Sequence, residues 1–174
     1  ELAAGAPAGC EGLIFTPWLA GERSPIEDKH LRAAFLNLSF RSDRAMMVRA
    51  VLEGVALNIR WLFMYYEKFL KRTVPSLRIM GGGAQSDLWC AIIDSTLNCR
   101  IEQVDDPLNA QLRGVALWTR VCRGELTLEQ AAALVPVART FDPDPSERQV
   151  YDDHFREYRK LYGSLKGFYH RMNG

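Results

Sequence analysis

Apolar positions along the chain follow two periodicities, and the change from one to the other marks the elements. Residues 13–19, LIFTPWL, form a short continuous apolar run, read as an extended strand whose pairing Pro17 limits. GERSPIEDKH (21–30) is a polar loop. From about Asp43 to Lys71 the spacing predicts a long helix. Met47, Val51, Val55, Ile59, Leu62, Tyr66 and Phe69 recur three or four apart, as one helical face requires. Ser42 is placed to cap it. Gly54 inside this helix costs about 1 kcal/mol relative to alanine, which implies a packing reason.

Pro75 precedes a second apolar run, in which Leu77, Ile79 and Met80 end a strand at 77–80. Three glycines follow, Gly81, Gly82 and Gly83. Ser86 is a good N-cap for a helix over 87–97, with Leu88, Trp89, Ile92 and Ile93 on one face. CRIEQV (99–104) is a further strand, and Asp106-Pro107 marks a turn. Asn109 to Cys122 reads as a helix with small or apolar Ala110, Gly114, Ala116 and Leu117. Thr127-x-x-Gln130 is a capping box for the short helix LEQAAALV, which Pro136 stops. FDPDPSE is a loop, and Ser146-x-x-Gln149 is a second capping box. The last helix runs to about Met172. Its stripe of Tyr151, Phe155, Tyr158, Tyr162, Leu165, Tyr169 and Met172 is read as a packed face and not a cofactor box.

These elements give an α/β class with helix dominant, in a single domain over 1–174. No internal repeat or low-complexity linker interrupts it. Two or three strands are few for a complete α/β domain, so part of the sheet is expected outside the chain. The N-terminus ELAAGAPAGCEG has no initiator Met and no signal-peptide pattern, and reads like the middle of a longer protein. The composition, 48% hydrophobic and 25% charged, suits a globular core. A net charge of +1 gives no electrostatic case for nucleic acid or an acidic membrane surface, and no apolar run reaches membrane-spanning length. Cys10, Cys90, Cys99 and Cys122 form no C-x-x-C pair and do not cluster with His30, His154 or His170, which argues against zinc. Cys90 and Cys122 are expected as buried free thiols, which fits a reducing cytoplasm.

The candidate chemistry lies at Gly81–Gly83. Strand, bare turn and helix start together offer free backbone N–H groups, a partial positive charge and close approach to an anion. The same residues also serve as a tight β–α connection with close packing. The phosphate-loop pattern G-x-x-x-x-G-K-[ST] is absent. Gly81-x-Gly83-x-x-Ser86 nearly matches G-x-G-x-x-G, with Glu102 about twenty residues on as a ribose carboxylate, so a dinucleotide-binding module is one alternative. A helical interaction domain with no ligand is the other, and would show the turn blocked or packed by side chains. Ser24, Ser39, Ser86 and Ser95 lack a nucleophile elbow. Asp105-Asp106 and Asp152-Asp153 read as solvated pairs, and Asp94 as a solvated or cap-bonding residue.

Three segments in order carry a resemblance. They are GLIFTPWLAGERSP (12–25), RAAFLNLSFRSDRAMMVRAVLEGVA (32–56) and GGGAQSDLWCAIID (81–94). The chain resembles the C-terminal part of FGGY-family carbohydrate kinases, most closely xylulokinase-like members, over about residues 10–165. The helix around Gly114-Val115-Ala116-Leu117 resembles the small-residue helix that follows in that family. The resemblance implies the helix-rich part of an actin-like (ribonuclease H-like) ATPase domain with an incomplete sheet. It implies phosphoryl transfer from ATP, with Mg²⁺, to a hydroxyl of D-xylulose or a related ketose or polyol.

By position, Gly82 and Gly83 would lie against the α-phosphate and ribose side, with Gly81, Ala84, Ser86 and Asp87 completing the nucleotide turn. Glu53 falls on an acidic or amide position of the second segment, as a buried polar contact or a site residue. Arg32-Ala33-Ala34-Phe35-Leu36-Asn37-Leu38 departs from R-G-x-F-x-G-L at both glycines. Asn37 tolerates the left-handed region and Ala33 does so poorly. The sugar pocket and catalytic base are implied upstream, so no catalytic or metal-ligating residue is assigned here. The fragment alone is expected to be inactive. A second copy could cover a sheet edge left open by a partial domain, so a homodimer is among the partners considered.

Overall fold

The computed structural model describes residues 2–174. A short antiparallel pair comes first, β1 (Ile14–Thr16) and β2 (Ala34–Leu36), in the register Ile14↔Leu36 to Thr16↔Ala34. The long helix α1 (Arg44–Leu70) follows. Strand β3 (Ser76–Ile79), helix α2 (Asp87–Leu97) and strand β4 (Arg100–Val104) then form a parallel β–α–β unit. Helices α3 (Ala110–Cys122) and α4 (Leu128–Ala133) lead to β5 (Val137–Phe141), which lies antiparallel to β4. The sheet order is β3-β4-β5. Helix α5 (Arg148–Asn173) closes the chain. The helix-rich α/β class is as expected from the sequence. Among the described residues no helix is long and apolar enough to cross a membrane.

Helix α1 lies between the cores, but not on the expected face. The residues it buries are Arg49, Ala50, Glu53, Gly54, Ala56, Leu57, Trp61 and Phe63. The predicted stripe is offset from this line, and Phe69 is 82% exposed. The cause is close packing through small residues. A Cβ on Gly54 would lie 2.1 Å from the Phe15 carbonyl oxygen, so β1 approaches the helix backbone here because the residue is glycine. Asp43, and not Ser42, caps α1: its carboxylate accepts from Met46 N at 2.8 Å. Ser42 Oγ instead accepts from Ser39 N.

The charged groups on the buried line satisfy each other, whereas Trp61 Nε1 is buried without a partner among the described residues. Arg49 Nε donates to Glu53 Oε1 at 2.7 Å, and both side chains are buried. The same oxygen accepts from Gly9 N at 3.1 Å and from Tyr151 OH at 3.0 Å. Arg49 also donates to the Ala6 carbonyl and to Tyr151 Oη. Two apolar clusters flank this network. Ala56 and Phe63 pack with Cys90, Ile92, Ile93, Leu97, Cys99 and Ile101 of the α2–β4 unit. Leu57 and Trp61 pack with Trp18, Leu31, Tyr158 and Tyr169.

Of the aromatic stripe on α5, Tyr151, Tyr158 and Tyr169 are buried, while Met172 is 67% exposed. The capping box at Thr127 and Gln130 forms. The one expected at Ser146 and Gln149 does not. Ser146 Oγ donates to Asp144, Gln149 Nε2 donates to Asp153, and the helix begins only at Arg148. Strand β5 was not legible, because VARTF is almost wholly exposed and shows no buried alternation. Cys122 is exposed, contrary to expectation, while Cys90 is buried.

Glu53→Leu leaves the Arg49 guanidinium buried beside an apolar group. It should cost about 3–5 kcal/mol in denaturant unfolding. A loss below about 1 kcal/mol would show that the pair does not hold α1 in place.

Candidate functional site

The chain leaves β3 through Met80 and turns at Gly81, whose φ of 88° lies in the region that favours glycine. Gly81 N donates to the Pro107 carbonyl at 2.9 Å. Gly82–Gln85 then form one 3-10 turn before α2. The bare turn expected between strand and helix takes the form of this 3-10 turn, and Ser86 caps the helix as expected. Gly82 and Gly83 open the turn, so their N–H groups have no partner within it. Ala84 N bonds back to Gly81 O and Ser86 N to Gly83 O.

The six candidate residues divide by role. Gly82 and Gly83 are exposed and Gly81 is half-buried. A Cβ built on Gly81 or Gly82 meets nothing within 4 Å, whereas one on Gly83 meets Trp89 Nε1 at 3.0 Å. The turn is therefore open at Gly81 and Gly82, while Trp89 packs against Gly83. Ala84 is fully buried, and only its backbone serves the turn. Ser86 Oγ accepts from Trp89 N at 3.2 Å and so acts as the helix cap. The Asp87 carboxylate is paired with Arg139 of β5 and accepts from Gln103 Nε2 at 3.4 Å. Gln103 and Arg139 gave no signal in the sequence, because 16 and 52 residues separate them from Asp87.

The other candidates lie elsewhere. Glu102 accepts from Arg78 Nε at 3.1 Å, and the sheet that holds it is mixed and not all parallel. Glu53 belongs to the buried network. The Asp105–Asp106 turn is exposed, while Asp152 pairs with Arg60 and Arg148. A cavity of about 840 Å³ opens at the other end of the sheet, lined by Arg60, Phe63, Arg100, Asp142 and Phe155. No residue of the glycine turn lines it, and its Arg100 and Asp142 pair with each other at 2.7 Å. Among the described residues no group of three or more His, Cys, Asp or Glu is arranged to hold a metal ion.

A model of the C-terminal domain of the FGGY family of carbohydrate kinases matches residues 1–121. The chain belongs to this family. A xylulose kinase of Staphylococcus epidermidis is 28% identical over 172 residues, covering 95% of this chain and 34% of its own length. The structure of ligand-bound xylulose kinase from Lactobacillus acidophilus superposes with a TM-score of 0.84 at 26% identity, covering 98% of this chain and 35% of that one. Gluconate kinase from the same organism gives a TM-score of 0.84 at 25% identity, with the same coverage of both chains. The chain thus spans about a third of the length of these FGGY relatives. Its fold is that of their actin-like ATPase domain. Where the loop departs from R-G-x-F-x-G-L, Asn37 adopts φ of 64° and its side chain donates to Gly12 O, so asparagine serves the left-handed position. Ala33 has no positive φ, and its position needs no glycine.

Asp94 corrects the sequence reading most sharply. It is 2% exposed, and burial pushes its carboxyl up from 3.8 to about 6, with Glu147 and Asp142 adding to the rise. A raised native value means the stability it contributes is present below the unfolded value and is lost as pH rises through about 6. Asp94→Asn should therefore be more stable than the wild type at pH 8, by roughly 1–3 kcal/mol, with the gap closing by about pH 4. Thermal melts across that range check it, and a gap that does not change with pH would contradict the burial of a charge.

Proposed function

We propose that the chain is the ATP-side portion of a two-domain sugar kinase, with residues 1–174 as one domain. The carrying observation is the open Gly81–Gly83 turn. The Gly82 and Gly83 N–H groups have no partner within the turn, and a Cβ at Gly81 or Gly82 would meet nothing within 4 Å. Backbone donors with no Cβ in the way suit a phosphate group. Gly82 and Gly83 are its donors, Gly81 sets the turn, Ala84 anchors it from inside, and Ser86 and Asp87 fix the start of α2. Membership of a carbohydrate kinase family favours ATP as the phosphate source.

Mg²⁺ would accompany the nucleotide phosphates, as it does where phosphates supply most of its ligands. The acceptor is a sugar or polyol hydroxyl. The xylulose and gluconate kinases among the relatives support a ketose or sugar acid, with D-xylulose first. The sugar pocket and the base that takes the hydroxyl proton belong to sequence upstream. These 174 residues alone bind nucleotide without completing transfer.

The experiment is calorimetric titration of the chain with ADP and with NAD. Gly83→Val should weaken ADP binding at least roughly tenfold, about 1.4 kcal/mol. Far-UV circular dichroism and a thermal melt of Gly83→Val serve as the fold control, since its side chain meets Trp89. Unchanged ADP affinity in Gly83→Val would sink the site assignment. Binding of NAD with the same loss would favour a dinucleotide module instead.

A further inference from the structure

Gln103 lies on β4 opposite Ile79, beside the turn that leaves β3. Its Nε2 donates to the Ala84 carbonyl at 2.6 Å and faces Asp87 Oδ1 at 3.4 Å. Both neighbours are acceptors, so the amide can present only its NH₂ end to the turn. Arg139 holds the other oxygen of Asp87 and neutralises a carboxylate that would otherwise repel an incoming phosphate. The opposite end of the turn is tied by Gly81 N to Pro107 O. Side-chain packing does not do this work at Gly81 and Gly82, where even an added Cβ would meet nothing within 4 Å. Three glycines in succession have the widest backbone freedom of any sequence, so their N–H groups keep one direction only if the turn is anchored.

We infer that Gln103 is a positioning residue for the phosphate-binding turn. Acting through the Ala84 carbonyl, and steadied by the Asp87–Arg139 pair, it holds the Gly82 and Gly83 N–H groups in place for the nucleotide. Gln103 does not touch the ligand. The inference rests on the nucleotide reading above.

The test uses Gln103→Glu, which keeps the shape and removes the donor. At about pH 7.5 its carboxylate has no proton to offer Ala84 O and meets Asp87 as a like charge. Amide exchange at Ala84 and Ser86, whose N–H groups close the turn, should run roughly tenfold faster than in the wild type, and ADP should bind roughly fivefold more weakly. Near about pH 4.5 the glutamic acid protonates and donates again, so both ratios to the wild type should move back towards one. Gln103→Leu should stay loose at both pH values. Wild-type exchange and affinity in Gln103→Glu at pH 7.5, or a loss that acid does not relieve, would overturn the role of Gln103. The two failures read differently. No ADP binding by the wild-type chain overturns the nucleotide reading, whereas normal wild-type binding with an unaffected Gln103→Glu variant overturns only the positioning role.

Discussion

The buried ion pair of Arg49 and Glu53 fixes the frame on which everything else is hung. It joins the N-terminal turn at Ala6 and Gly9, the middle of α1, and Tyr151 at the start of α5. Such a pair is stable only when every partner is supplied. Burial pulls the Arg49 pKa down, but its bonds to Glu53 and Tyr151 outweigh this and raise it, so the guanidinium keeps its charge. Burial and the Glu53 charge push the Cys10 thiol up to about 12, and push the Tyr151 hydroxyl well above its ordinary value. Both therefore stay protonated as donors to Glu53. One carboxylate organises segments up to 98 residues apart.

From that fixed line the geometry reaches the glycine turn by packing alone. Gly54 lets β1 press on one side of α1. On another side Ala56 and Phe63 receive Cys90, Ile92 and Ile93, which sets the position of α2. Parallel pairing of β3 with β4 sets the strand end. The turn between them is then held at both ends and open in the middle. A fixed, desolvated scaffold with a bare backbone at its edge is how a fold presents N–H groups to an anion without burying them first.

Much of this was legible in the sequence where local chemistry decides the outcome. The glycine run, the Ser86 cap, the Thr127–Gln130 capping box and the three ordered segments of the family all read correctly. Tertiary contacts decided the rest. Apolar spacing put the buried face of α1 on the stripe through Val51, Val55 and Ile59; Ile59 does pack against the core, but the fully buried line runs through Ala50, Gly54 and Ala56, where small residues permit close approach. Asp94 reads as a surface residue, and only the fold shows that α2 turns it inward. Strand β5 is made by pairing with β4, since its own side chains are exposed. Gln103 and Arg139 meet Asp87 only after the sheet forms.

We propose that the Gly81–Gly83 backbone receives a nucleotide phosphate. Amide-resolved NMR of the 174-residue chain titrated with ADP tests it most directly. The largest N–H shifts should fall on Gly82 and Gly83 and saturate together, with smaller ones at the start of α2. Shifts confined to the opposite cavity, at Arg60, Arg100 and Phe155, with the glycine amides unmoved, would contradict it.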